Sequence, residues 1–103
     1  MEPVRICLVG GGRAGMVHGW IFARGVPGAA VTAVVDPVRE VGAAAAAQLQ
    51  ATHFSSLQEA LQYAAFDAVC IATPTFTHRD LVVQGARAGK HVFVEKPMVV
   101  SEE

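Results

Sequence analysis

Nowhere does this sequence gather its lysines and arginines. Eight basic and nine acidic residues are scattered along it, for a formal net charge of −1, which argues against nucleic acid or an anionic membrane as a partner. No apolar run comes near the roughly 18 residues needed to span a bilayer, and Met1-Glu2-Pro3-Val4-Arg5 lacks the basic flank and apolar centre of a signal peptide. The cytoplasm is the expected setting. Cysteine is scarce as well. Cys7 and Cys70 sit inside apolar runs, with no CxxC and no His at ligand spacing, so they read as buried free thiols and not as metal ligands or a disulfide framework. Aromatic residues make up only 7% of the chain, and no repeat of fixed period is present.

What the chain does have is aliphatic residues in periodic runs. With 52% hydrophobic residues in a length of 103, it has the material for one domain. Val4 to Val9 reads as a strand, followed by a helix with Ala14, Val17, His18, Ile21 and Phe22 inward and stopped by Gly25 and Pro27. A second strand, Ala30 to Val35, leads through Asp36 into a helix. Pro37 is expected at its first position, with Val38, Val41, Ala45 and Leu49 on its buried face. A short strand near His53 and Phe54 precedes a helix from about Ser56, with Leu57, Ala60, Leu61 and Ala64 inward. Ala68 to Ala72 is a fourth strand. His78 to Ala88 is a helix with Thr77 and Asp80 at its cap and Gly89 at its stop, and His91 to Val94 is a fifth strand. Alternating strands and helices, with strands apolar on both faces, predict a doubly wound α/β fold with a parallel sheet covered on each side.

Three glycines fall where the first strand meets the first helix. Gly10, Gly12 and Gly15 form GxGxxG: the first permits a tight turn, the second leaves room for a pyrophosphate, and the third lets helix and strand pack closely. The helix N-terminus would offer backbone N–H groups to the phosphates. Asp36 lies at the end of the second strand, where a carboxylate would bind ribose hydroxyls and repel the extra phosphate of NADP. NAD is therefore the expected cofactor, although Asp36 also suits a helix cap. Arg13 reads equally as a pyrophosphate contact or a solvated side chain. His18 reads as a packed histidine, and His78 as either a ligand contact or part of a cap. Gly85-Ala86-Arg87-Ala88-Gly89-Lys90 is one residue short of a phosphate-binding P-loop and lacks the following Ser/Thr.

The segments VGGGRAGMVH, VVDP, IATPTFTH and AGKHVFVEKP together resemble the glucose-fructose oxidoreductase, inositol dehydrogenase and rhizopine-catabolism family, Gfo/Idh/MocA. The resemblance implies a Rossmann-type fold and an NAD(P)-dependent oxidoreductase acting on CH–OH groups of sugars, polyols or related substrates. It places Gly10, Gly11, Gly12, Arg13, Ala14, Gly15, Asp36, Ala72, Thr73, Pro74, Thr75, His78, Glu95, Lys96 and Pro97 around the cofactor. Thr75 stands where the family commonly has Asn. Lys96 is implied as the catalytic residue, stabilising alkoxide charge beside the nicotinamide, with Glu95 and Pro97 fixing its turn.

Ser101-Glu102-Glu103 has the composition of a helix start without a helix body. Residues 1–103 are accordingly expected to form a dinucleotide-binding domain incomplete at its C-terminal end. The resemblance implies a second, substrate-binding domain, absent here, that brings the general base. Expected partners are NAD and a small hydroxylated substrate, with homo-oligomerisation open. The alternative is a stand-alone NAD-binding or sensing module without catalysis.

Overall fold

Short aliphatic runs bounded by glycine, proline and aspartate form the strands, and the longer alanine- and leucine-bearing segments form the helices. The computed structural model describes residues 3–73 and 78–94. In chain order these are β1 (Val4–Val9), α1 (Arg13–Trp20), β2 (Ala29–Val35), α2 (Arg39–Leu49), β3 (Thr52–Phe54), α3 (Leu57–Tyr63), β4 (Ala68–Ile71), α4 (His78–Arg87) and β5 (His91–Val94). A π-helical turn, Ile21–Gly25, prolongs α1. The strands form one sheet in the order β3-β2-β1-β4-β5, every neighbouring pair parallel. The doubly wound arrangement expected from the alternation is therefore the one observed.

Successive strand side chains point to opposite faces, so the sheet divides two cores. Ile6, Leu8, Val31, Val34 and Cys70 pack with Ala45, Ala46 and Leu49 of α2, and Met16, Trp20 and Phe22 lean against them. Cys7, Val9, Ala33, Val35, Val69 and Ile71 pack on the other face with Leu57, Ala60 and Phe66. A register shift between Ile6 and Cys7 pairs these residues with Val31 and Ala33. Thr32 falls between those partners, and its hydroxyl donates to the Ala65 carbonyl at 3.3 Å. Cys7 and Cys70 are both buried thiols that are not joined in a disulfide. Burial, and secondarily the neighbouring Cys70, push the Cys7 thiol up to about 12.

Four expectations need correction. The stripe on α1 is misplaced: Val17 and Ile21 are 54% and 49% exposed, whereas Gly15 and Gly19 are buried. Glycine carries no weight in an apolar pattern, yet its missing side chain is what lets this helix approach. A Cβ on Gly19 would sit 2.9 Å from Leu49 Cδ1 and 3.2 Å from Leu8 Cδ2. On α2 the buried face is Gly42, Ala45, Ala46 and Leu49, with Val38 and Val41 exposed. Pro37 precedes the helix and does not open it, because Asp36 Oδ1 accepts from the Val38 amide at 2.8 Å and keeps Val38 extended as the N-cap. Finally, the described residues do not cover β5 on both faces. Phe93 is 53% exposed and touches Phe22, with ring centroids 6.4 Å apart, and none of the described residues pairs with the outer edge of β5.

α4 ends as its sequence predicts. Gly89 has φ +77°, and the Lys90 amide returns to the Gly85 carbonyl at 3.0 Å. Thr77 of the expected cap lies outside the described residues. No helix among the described residues is long and apolar enough to cross a membrane.

Candidate functional site

From β1 the chain moves outward to β2 and β3, then crosses back to β4 and β5 on the other side of β1. The connections diverge between β1 and β4. In open α/β sheets a crevice forms there, outside the carboxyl ends of the strands.

Gly10 ties those ends together. Its amide donates to the Val35 carbonyl at 2.8 Å, and beside it the Ala72 amide donates to Val9 at 2.8 Å. Its φ of +104° disfavours any side chain, and a Cβ would lie 2.6 Å from the Ala72 oxygen. Gly15 is buried against Gly10: a Cβ there would overlap the Gly10 carbonyl oxygen. Gly11 faces α2, where a Cβ would sit 3.1 Å from that of Ala45. Gly12 differs from all three. It is the extended N-cap of α1 and exposed, and a Cβ on it would meet nothing within 4 Å. No side chain caps this helix end, and its first turn holds no acidic residue. The uncompensated N–H end, beginning at Arg13 and Ala14, is thus suited to an anion. Arg13 is exposed.

Asp36 stands beside this turn. Its Oδ2 accepts from the Gly11 amide at 2.9 Å and its Oδ1 from Val38. A carboxylate has about four acceptor positions, so two bonds leave capacity for further donors. The Asp36 peptide is held too: its amide donates to the Phe54 carbonyl at 3.0 Å, and its carbonyl accepts from His53 Nε2 at 2.9 Å. Ala72 and Thr73, both half-buried, follow β4. His78 Nε2 donates to the Thr73 carbonyl at 2.7 Å and links the end of β4 to the start of α4. His18, on α1, is half-buried. Pro74, Thr75, Glu95, Lys96 and Pro97 lie outside the described residues.

The structure thus gathers Gly10, Gly11, Gly12, Gly15, Asp36 and Ala72 at one edge. His53 is the neighbour that sequence reasoning missed. The available signal was Gly42, a lone glycine within a helix, which lies against the His53 ring.

A glycine turn feeding a helix N-terminus, with a carboxylate at the end of the next strand, defines a nucleotide-binding α/β domain. The family model described as "Oxidoreductase family, NAD-binding Rossmann fold" (Gfo/Idh/MocA) matches residues 4–103, and the chain belongs to that family. It is 39% identical over 103 residues to the scyllo-inositol 2-dehydrogenase (NAD(+)) of Bacillus subtilis (strain 168), covering 99% of this chain and 30% of that protein. It superposes with a TM-score of 0.87 on the scyllo-inositol dehydrogenase from Lactobacillus casei with bound NAD(H) and scyllo-inositol. That match has 32% identity and covers 93% of this chain and 28% of the other. The WlbA dehydrogenase from Bordetella pertussis, in complex with NADH and UDP-GlcNAcA, gives a TM-score of 0.88 at 35% identity, over 96% and 30% of the two chains. The chain therefore spans about 30% of the length of such relatives. It is the NAD-binding Rossmann part of an oxidoreductase family.

Proposed function

We propose that this chain holds NAD across the carboxyl edge of its sheet and serves hydride transfer from a hydroxyl-bearing carbon of a polyol, sugar or related substrate. The observation that carries the reading is the 2.9 Å contact between the Asp36 carboxylate and the Gly11 amide, which sets a ribose-recognising group beside a phosphate-recognising turn. The open space at Gly12 fits the group, since a pyrophosphate needs backbone without side chain at that point.

In this reading the amides of Gly12, Arg13 and Ala14 face the pyrophosphate, with the Arg13 side chain near it, while Gly10, Gly11 and Gly15 shape the turn. Asp36 accepts from the ribose hydroxyls. Like charges about 4 Å apart repel by about 1 kcal/mol in water and about 4 kcal/mol near a protein surface, so Asp36 disfavours the extra phosphate of NADP. Ala72, Thr73, Pro74, Thr75 and His78 line the cofactor on the β4 side. Lys96, set by Glu95 and Pro97 after β5, steadies negative charge developing on the substrate oxygen. Bound NAD supplies the hydride acceptor. The proton acceptor and the substrate pocket come from polypeptide outside residues 1–103, which make up the dinucleotide-binding portion. The near-neutral charge supports the absence of nucleic-acid and anionic-membrane partners and is compatible with self-association, and the proposed setting is the cytoplasm.

Energy transfer from Trp20, the only tryptophan, to bound NADH or NADPH tests this. NADH is expected to bind at lower concentration than NADPH, and Asp36→Asn to narrow the difference. An unchanged ratio in a folded Asp36→Asn protein would refute the assignment.

A further inference from the structure

We infer that His53 is a positioning residue for cofactor selection: it anchors the Asp36 peptide so that the carboxylate stands at the glycine turn, and Gly42 leaves the space its imidazole occupies. The inference rests on the reading of Asp36 as the ribose-recognising group.

The parallel ladder between β2 and β3 pairs Val34 with His53 and Val35 with Phe54, and Asp36 lies just past its end. Backbone alone supplies one further bond there, from the Asp36 amide to the Phe54 carbonyl. The His53 side chain supplies the next. A carbonyl oxygen only accepts, so the 2.9 Å contact between Nε2 and the Asp36 oxygen requires a hydrogen on Nε2, which donates. Two consecutive residues of β3 thereby grip both sides of one residue, and the imidazole acts as an extra rung.

Gly42 shows that the ring's place is built into α2. A Cβ on Gly42 would overlap Cδ2 and Nε2 of His53 and lie 3.1 Å from the Asp36 Cβ. Glycine is the least favourable residue inside a helix after proline. Here it stands directly before five alanines, Ala43 to Ala47, any of which would propagate the helix better. With Gly42 and His53 in place, the Asp36 carboxylate is already directed at the Gly11 amide. Freed from His53, the Asp36 peptide can turn, and the carboxylate loses its register with the turn.

The test compares NADH and NADPH affinities in the purified protein by energy transfer from Trp20, because a merely structural role would weaken both cofactors together. His53→Phe fills the space without the N–H donor. It is expected to raise the Kd for NADH about tenfold, of the order of one well-placed hydrogen bond, and to raise that for NADPH by no more than about twofold, since a displaced carboxylate repels its extra phosphate less. His53→Gln, which keeps an N–H donor, is expected to restore most of the selectivity. Gly42→Ala, which displaces the ring, should reproduce His53→Phe and carries the same comparison if that protein does not fold. In an Asp36→Asn background His53→Phe should change the ratio no further. Parallel weakening of both cofactors, or an unchanged ratio in His53→Phe where Asp36→Asn shifts it, overturns the role of His53. An unchanged ratio in Asp36→Asn overturns the reading of Asp36, and the inference falls with it.

Discussion

A side chain on Gly15 would run into the carbonyl oxygen of Gly10. The first turn of α1 therefore rests directly on the end of β1. Gly12, between them in sequence, faces open space. The junction of β1 and α1 thus contains glycines that the protein's own packing requires and one that it does not.

Substitutions at the two positions should separate. Gly15→Ala overpacks the helix against the strand end and should cost about 1–3 kcal/mol. For a domain of this size each kcal/mol lowers Tm by about 4–8 °C. Gly12→Val should stay within about 1 kcal/mol of the parent, since it alters only an exposed N-cap. It should nonetheless abolish NADH binding in the Trp20 assay. A folded Gly12→Val protein with full affinity would show that nothing needs that space.

Acid should act on the chain partly through Asp67. The Arg5 guanidinium donates to both Asp67 oxygens, at 3.1 and 3.3 Å, and the Arg5 amide donates at 2.8 Å. These side-chain and backbone hydrogen bonds hold the Asp67 carboxyl below its ordinary 3.8. A depressed folded-state value stabilises fully above the unfolded value, and the contribution is lost as pH falls through the folded one. Thermal melts from about pH 5 down to about pH 2 should show a smaller acid loss for Asp67→Asn than for the parent. Parallel curves would place the acid sensitivity elsewhere.

Both thiols should be silent in the native protein. With its thiol near 12, Cys7 is about one part in ten thousand thiolate at about pH 8, and Cys70 is equally buried in β4. Labelling by an aromatic disulfide should therefore wait for denaturant and then consume two equivalents, matching the two cysteines. Fast labelling without denaturant would mean that the sheet opens locally around β1 and β4.

The purified chain is expected to bind NAD without turning over. Positioning of reactants is worth about 7–11 kcal/mol of barrier. In the proposed reading Lys96 acts as a cation that stabilises an alkoxide, and a group in that role does not also accept the proton. NAD⁺ with a panel of polyols and sugars should yield no NADH absorbance above a cofactor-only control. Sustained turnover abolished by Lys96→Met would instead mean that these residues build a complete site.

Strands were the legible part of the fold. Val4–Val9 and His91–Val94 fall where the apolar runs place them, and even the three-residue β3 appears at His53 and Phe54. A buried strand needs only a short unbroken run of apolar residues, which sequence shows directly. Helix faces were less legible, because Gly15, Gly19 and Gly42 face inward by having no side chain. The start of α2 was hidden for another reason, since the Asp36 side chain delays the helix to Arg39. At the site, the glycine turn and Asp36 could be read from spacing. The contact of His53 with Asp36 spans 17 residues and two strands, and no periodicity records it.

Among the described strands the earliest in sequence, β1, lies at the centre of the sheet, which bears on the order of assembly during synthesis. Val4 meets Ala29 of β2 after 25 residues, but Ile6 finds Ala68 of β4 only after 62. Loop-closure entropy makes the longer connection costlier by only about 0.8 kcal/mol. Delay matters more than energy. Until Ala68 leaves the ribosome, one hydrogen-bonding edge of β1 has no partner from its own chain, and the apolar residues Ile6 to Val9 flank that open edge on a growing polypeptide.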